Sequence, residues 1–397
     1  MRALLVSIRY VLTNALMTMF IAALAFGHWS IWAVVVLSVV TGVAIDEVLG
    51  DDSERIDGRG QLLFDANLYA TLPLLVIMSC MMFRLITANS TTDVAAHSGA
   101  VALIGPVVGA GYFYALAGVT VGHELTHRVS NPIALIWARV LFAFTVNPTF
   151  ETYHVHGHHR NVCTYRDPAT ARRGEYVLAF VARTLIYQSL EGWRLETERL
   201  RRNGLPFWSL HNRVLAGAFC TMAILSIATL IAGARGGIAF LVAAFFGRIL
   251  HEMINYVQHY GIVRAEGTPI EVRHAWDSCH LLSNALFYNL PRHADHHRSA
   301  TKPFWALEAP ADSPKLPHGY QTMAMIALMA PLWHRRIDPL LVDWDRRLAS
   351  DIERALVQDR GWSIDVPRPH QATGLIAVDR AAESASYRTS GGEGSLP

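Results

Sequence analysis

The sequence predicts an all-α integral membrane protein with about six transmembrane helices and a cytoplasmic, histidine-rich helical cap. Three observations predict it. Of the 397 residues, 52% are hydrophobic and only 17% charged, giving a mean hydropathy of +0.25, well above the needs of a soluble domain. Six apolar stretches approach the roughly 20 residues that a helix needs to cross a bilayer. Nine histidines also gather in four short motifs, all on one predicted side of those stretches.

The apolar stretches run at about 9 to 26, 29 to 46, 67 to 88, 97 to 120, 210 to 233 and 237 to 258. The first follows a basic lead, Arg2 and Arg9, and without a small-residue cleavage signal it reads as a retained helix. Only "GHWS" separates it from the second, so the two form a tight hairpin. Between the fourth and fifth lies the longest polar region, with eleven arginines from Arg128 to Arg202. Loops rich in Lys and Arg stay in the cytoplasm. That orientation puts both termini on the cytoplasmic side of the inner membrane. "NPIALIWARVLFAF" and "GYQTMAMIALMAPLWH" are apolar but short, and the second contains Pro331, so both read as interfacial helices. One membrane domain is expected over 1–345, with a cytoplasmic tail over 346–397 whose small, polar end has the composition of a disordered segment.

Composition excludes several functions. A formal net charge of +2 with no long basic run gives no case for nucleic acid. Cys80, Cys163, Cys220 and Cys279 lie far apart with no CxxC pair, so neither a disulfide framework nor a sulfur-held metal is indicated. "GPVVGAG" sits inside an apolar helix and lacks the ending of a phosphate loop. Gly105 and Gly109 have the spacing of ordinary close packing between membrane helices.

The motifs are "GHELTHR" (His123, His127), "TYHVHGHHR" (His154, His158, His159), "NYVQHYG" (His259) and "PRHADHHR" (His293, His296, His297). Residues i and i+4 share a helix face, so His123 and His127 can meet one metal. The spacings 154/158/159 and 293/296/297 allow an i, i+3 or i+4 pair to do the same, with the adjacent histidine turned to a second metal. Nine imidazoles are too many for one ion, and nitrogen donors suit iron, zinc, copper or nickel. "HELTH" matches a zinc peptidase pattern, but it ends a membrane span and leaves most of the ring nitrogens unexplained. Ionisable groups at membrane depth are costly and usually functional. His156, His251, His274 and His280 read as structural residues, or as groups behind the ligands or in a pocket.

These motifs resemble those of the integral-membrane alkane 1-monooxygenases and xylene monooxygenases, a branch of the histidine-rich desaturase and hydroxylase superfamily. There the patterns run roughly HELxHK/R, EHxxGHH, NYxEHYG and LQRHxDHH, in the same order. "RDPATARRGEYV" and "APLWHRRIDP" extend the likeness over about residues 40 to 345. Tyr153, Gln258 and Pro291 depart from the pattern without removing a ligand; Glu151 lies two positions before Tyr153. The resemblance implies a non-haem di-iron cap, two iron ions held by His123, His127, His154, His158, His159, His259, His293, His296 and His297. It assigns Asn255 to the surroundings of the metal, and Glu124 and Asp295 to the second N–H of ligand imidazoles.

The implied activity is O2-dependent hydroxylation of an unactivated C–H bond in an alkane, alkyl-aromatic or related hydrophobic chain drawn from the lipid bilayer. Electrons would come from rubredoxin or a 2Fe–2S ferredoxin with its reductase. The alternatives are a fatty acyl desaturase using the same di-iron site and, from another class, a membrane metal transporter, which would hold its ligands midway through the bilayer.

Overall fold

The computed structural model describes residues 8–27, 29–52, 61–90 and 101–361. Among these the only regular elements are helices. In order they are α1 (Leu12–Phe26), α2 (Trp29–Val40, continuing through a π-turn at Thr41–Ile45 and through Asp46–Leu49) and α3 (Gln61–Ser90). Then α4 (Val101–Phe113) continues through a second π-turn at Tyr114–Val119 and through Thr120–Thr126, and α5 is Pro132–Ala143. Next, α6 runs from Phe150–Tyr153 through a third π-turn, His154–His158, into His159–Asn161; α7 is Val177–Arg202 and α8 is Arg213–His259. The remainder are α9 (Leu281–Leu286), α10 (His293–Arg298), α11 (Tyr320–Ala327), α12 (Ala330–Arg347) and α13 (Asp351–Asp359).

Among the described residues, five helices are long and apolar enough to cross a membrane: Arg9–Phe26, Trp29–Leu49, Gln61–Ala88, Leu103–Thr126 and Arg213–His259. The last, of 47 residues, is broken at Ala232 and Gly233, where Gly233 has φ 62°. On a straight helix Gly237 would lie about 12 Å from Thr229 and about 18 Å from Leu225. A Cβ on Gly237 would instead come within 2.6 Å of Thr229 Oγ1 and 3.4 Å of Leu225 Cδ1. The chain therefore doubles back, and 213–231 and 234–259 are antiparallel arms that coincide with the fifth and sixth apolar stretches. The fourth apolar stretch reaches further than expected: α4 stays helical to Thr126 and carries His123 within its last turn.

Close approach between helices depends on glycine. Where α4 crosses the second arm of α8, a Cβ on Gly247 would lie 2.7 Å from the Gly111 carbonyl oxygen, and one on Gly111 would lie 2.5 Å from that of Ala243. Gly105 and Gly109 instead receive Trp32 of α2 and Phe20 of α1. Backbone contact of this kind brings the ends of α4 and α8, with His123 and His259, to the same level.

Buried polar anchors hold the short helices over those ends. Asp46, at the end of α2, accepts from the Leu282 and Ser283 N–H groups (2.9 and 3.1 Å) and from Ser283 Oγ (2.5 Å), which caps α9. Asp52 pairs with Arg9 (2.5 Å) and with Arg292 (2.9 Å), the residue before α10. Asn131 caps α5 by accepting from the Ile133 and Ala134 N–H groups, with Pro132 at its first position. Pro331 likewise falls in the first turn of α12, so it starts a helix and separates α11 from it.

Helix α13 falls within the stretch assigned from sequence to the tail, yet it belongs to the compact unit. Ser350 and Glu353 form a reciprocal cap, and Glu353 also accepts from His274 Nε2 (2.8 Å). Burial alone would raise the Glu353 carboxyl, but His274, the Ser350 N–H and Arg273 outweigh it and hold it at about 2. His274 thus has a structural role. The disorder expected for the end of the tail lies outside the described residues.

Replacing Gly247 with leucine should cost about 1–3 kcal/mol through overpacking at the crossing. Thermal unfolding in detergent is expected to show a midpoint lowered by several degrees; an unchanged midpoint would mean that the two backbones do not meet there.

Candidate metal centre

All nine motif histidines come together, in two groups. His123, His127, His154, His159 and His296 form one, and His158, His259, His293 and His297 the other; within each group the ligand atoms lie within 4.8 Å of one another. Closest approaches between Nε2 atoms are 3.1 Å (His127–His154), 3.0 Å (His154–His159), 3.2 Å (His159–His296), 3.0 Å (His259–His293) and 3.0 Å (His293–His297). Two nitrogens set at right angles about 2.1 Å from one ion are about 3.0 Å apart. The spacing therefore matches the edge of a coordination shell. The groups touch, since the His159 and His297 rings stack at 4.5 Å.

Local helix geometry sorts the ligands. His123 and His127 share the face of the last turn of α4, and His293 and His297, also four apart, share a face of α10, which leaves His296 to the other group. The second motif behaves differently. On a regular helix His159 would lie about 140° round from His154. The His159 N–H, however, donates to the His154 carbonyl five residues back, the signature of a π-turn. The widened turn brings His154 and His159 together and points His158 at the second group. Pairing by i, i+3 or i+4 thus holds for α10 but not for α6.

The electrostatics suit a metal. Burial first, then neighbouring imidazoles, hold His154, His159, His293, His296 and His297 well below the ordinary value. Burial also takes His127 down to about 3. These rings are neutral at physiological pH, as ligands must be. His123 Nε2 is buried without a hydrogen-bond partner, which costs about 1–3 kcal/mol unless something else takes its lone pair. With an all-imidazole donor set and no carboxylate among the converging atoms, the residues fit a transition metal.

Of the three groups expected around the ligands, Asp295 and Glu124 are paired elsewhere. Asp295 accepts from Arg298 (2.5 Å), Lys302 (2.7 Å) and the Glu308 N–H (2.9 Å), because two positions after His293 it points about 200° round α10, away from the rings. Glu124 pairs with Arg128 at 3.4 Å. Asn255 joins neither group and donates to Glu252 (2.9 Å), but it lines an apolar cavity together with His123, His154 and His293.

The carboxylate that does hold a ligand is Asp167. Fully buried, it accepts from His158 Nδ1 (2.9 Å), Tyr153 Oη (2.5 Å), Thr170 Oγ1 (2.7 Å) and the Ala169 N–H (3.2 Å). With the proton on Nδ1, the lone pair of His158 Nε2 is free to face the second group. Burial alone would raise the Asp167 carboxyl; His158, Tyr153 and Thr170 reverse this and hold it at about 2. Tyr153, a departure from the family pattern, is thus one of its partners. Asp167 lies within "RDPATARRGEYV", but an Asp before Pro is also an ordinary turn residue, and nothing in the spacing set it apart. Cys163, with φ 60°, puts its sulfur 3.8 Å from His259 Nδ1. Glu151 makes a two-point pair with Arg139 (2.9 and 3.1 Å).

A cavity of about 460 Å³ runs between α2, α4, the second arm of α8 and α11 and ends on His123, His154 and His293, ligands from both groups. Its walls are almost wholly apolar, and the π-turn of α4 contributes Ala115, Leu116 and Val119. Phe150 stacks on His154 at 4.8 Å and meets the edge of His251 at 5.0 Å, so His251 belongs to the cavity wall. Leu178, Met325 and Leu328 line it and are exposed, which opens it at an apolar surface. His156 is exposed on α6, and His280 lies 3.6 Å from Asp51.

Comparison with known proteins agrees with this arrangement. A family profile described as fatty acid desaturase matches residues 95–327. The chain is 31% identical over 321 residues to alkane 1-monooxygenase 1 of Pseudomonas aeruginosa, covering 79% of this chain and 84% of that protein. It is 33% identical over 328 residues to alkane 1-monooxygenase 2 of the same organism (78% and 84%). It is 28% identical over 279 residues to the xylene/toluene monooxygenase hydroxylase component XylM of Pseudomonas putida (68% and 75%).

Asp167→Asn should weaken metal binding by about 10- to 100-fold, the usual effect of removing a carboxylate behind a ligand histidine. Retention of metal during a timed chelator challenge is the measurement, and retention equal to the wild type would show that Asp167 does not support the ligand.

Proposed function

The chain belongs to the fatty acid desaturase family and is an oxidoreductase of the alkane 1-monooxygenase type, and on that premise we propose that it is a membrane di-iron hydroxylase acting on a hydrophobic chain. The reaction is RH + O2 + 2e⁻ + 2H⁺ → ROH + H2O, with RH an alkane, an alkyl-aromatic or a related chain carrying an unactivated C–H bond. The observation that carries this reading is the apolar cavity ending on ligands from both histidine groups.

In this reading His123, His127, His154, His159 and His296 hold one iron, and His158, His259, His293 and His297 the other. When bound, the pair supplies O2 activation and attack on the C–H bond. The protein supplies the rest. Leu178, Met325 and Leu328 admit a substrate already dissolved in lipid, and the cavity walls align it end-on while excluding water. Asp167 fixes the tautomer of His158. Electrons come from rubredoxin or a 2Fe–2S ferredoxin with its reductase, a separate protein, since the four cysteines are unpaired and far apart. The protein is multi-pass, and by the arginine-rich region the histidine cap and both termini face the cytoplasm across the inner membrane.

Desaturation of an acyl chain at the same site is the second reading, favoured by the family profile; the names of the relatives favour hydroxylation.

Cells supplied with a carrier, 18O-labelled O2 and a panel of alkanes, alkylbenzenes and fatty acids are expected to yield alcohols carrying one labelled oxygen. Products lacking two hydrogens and free of label would transfer the protein to the desaturases. His296→Ala and His297→Ala should each abolish turnover and lower bound iron; full turnover in either variant would break the nine-ligand assignment.

A further inference from the structure

A second concave surface adjoins α6, the helix that carries His154, His158 and His159, and is separate from the cavity. This groove of about 350 Å³ is lined by His156, Arg160, Asn161 and Arg166 on one flank and by Glu191, Arg194 and Leu195 of α7 on the other. It shares no lining residue with the apolar cavity. Substrate in the cavity and a visitor in the groove therefore do not compete.

Three features bear on what the groove receives. It is close to the ligands: His156 and Arg160 occupy the exposed face of the same widened turn that carries His154, His158 and His159. His159 is the one member of the two groups that is not fully buried, and its ring stacks on His297 of the other group. The groove is also positively charged. Arg160 is exposed and forms no ion pair among the described residues, while Arg166 and Arg194 each share one carboxylate, Glu266 (3.0 Å) and Glu191 (2.6 Å). Such surface pairs hold little energy and yield readily to a competing partner. Finally, Arg199, Arg202 and Arg213 lie within electrostatic reach of His156 together with Glu196, and each is paired with a carboxylate, so the unpaired positive charge at the groove is that of Arg160.

We propose that this groove is the docking site of an acidic one-electron carrier protein, placed by Arg160 and Arg194 beside His159. The proposal rests on the oxidoreductase reading above and adds to it where reduction takes place. Each docking oxidises the carrier by one electron and reduces the metal pair by one. Two dockings meet the two-electron demand of the reaction, and its two protons come from the aqueous side. Charge complementarity of this kind acts mainly on association and makes it sensitive to salt.

The test uses the full-length, iron-loaded protein in lipid nanodiscs, with a 2Fe–2S ferredoxin of net negative charge as the probe. The Kd for the carrier is measured at several salt concentrations for the wild type, for R160E/R194E and for R347E, an exposed charge on α12. Expected is a rise of at least about tenfold in Kd at low salt for R160E/R194E, a flatter salt dependence, and no change for R347E. Iron content verifies that the variant is assembled; should it fall, R160Q, which removes one charge without reversing it, carries the same comparison. An unchanged Kd in the assembled variant, or wild-type binding indifferent to salt, overturns the proposal. Hydroxylation by the wild type with a chemical reductant and a small mediator is followed in parallel. No product there would defeat the oxidoreductase reading alone, because the Kd comparison stands apart from turnover.

Discussion

Nine imidazoles packed into one buried volume make the demand that the rest of the structure answers. Each ring taken from water loses its hydration, and a buried polar atom without a partner costs free energy. Charged, the rings would repel one another; neutral, they turn a set of ring nitrogens toward one another, and a shared electrophile can take their lone pairs. His123 Nε2, buried without a partner, shows this demand at a single atom. The segments that meet it are far apart in the chain: the ends of α4 and α8, the widened turn of α6, and the short helix α10. Holding them together requires the glycine-mediated crossing of α4 with α8, the Asp46 cap on α9 and the Asp52–Arg292 pair before α10. Each of these supports sits outside the site and fixes one wall of it.

Two concave surfaces of opposite polarity adjoin the helix that carries His154, His158 and His159. One is an apolar cavity, with exposed Leu178, Met325 and Leu328 at its opening. The other is a polar groove bearing arginines. A hydrocarbon and a charged protein differ so strongly in solvation that each is attracted to only one of these surfaces. The π-turns serve both ends of the design: one in α4 contributes to the cavity wall, and one in α6 divides three histidines between two groups. Local helix irregularity thus shapes both the substrate space and the donor set.

Much of the site was legible in the sequence because its ligands are local patterns. His123 with His127 and His293 with His297 are four apart, and helix periodicity alone makes each pair converge. Partition within the second motif was not legible, since the i+5 pairing of His154 with His159 depends on a π-turn that no spacing announces. The groups behind the ligands were misread for a similar reason. Glu124 and Asp295 were attractive because they adjoin ligands in the chain, yet neighbours on a helix point to different faces. Asp167, nine residues from His158, reaches it because the intervening loop turns back.

What the sequence by itself determined is the membrane class and the identity of the histidines that gather. Both follow from hydrophobic run length and from residue type, which act locally or through solvent. Only the tertiary structure decided which histidines share a group, that Asp167 and Tyr153 stand behind His158, that residues 213–259 fold back on themselves at Gly233, and where cavity and groove open. These depend on directions rather than on order: a side chain's bearing is set by the turn it sits in and by the helix packed against it, and neither is written at the residue itself.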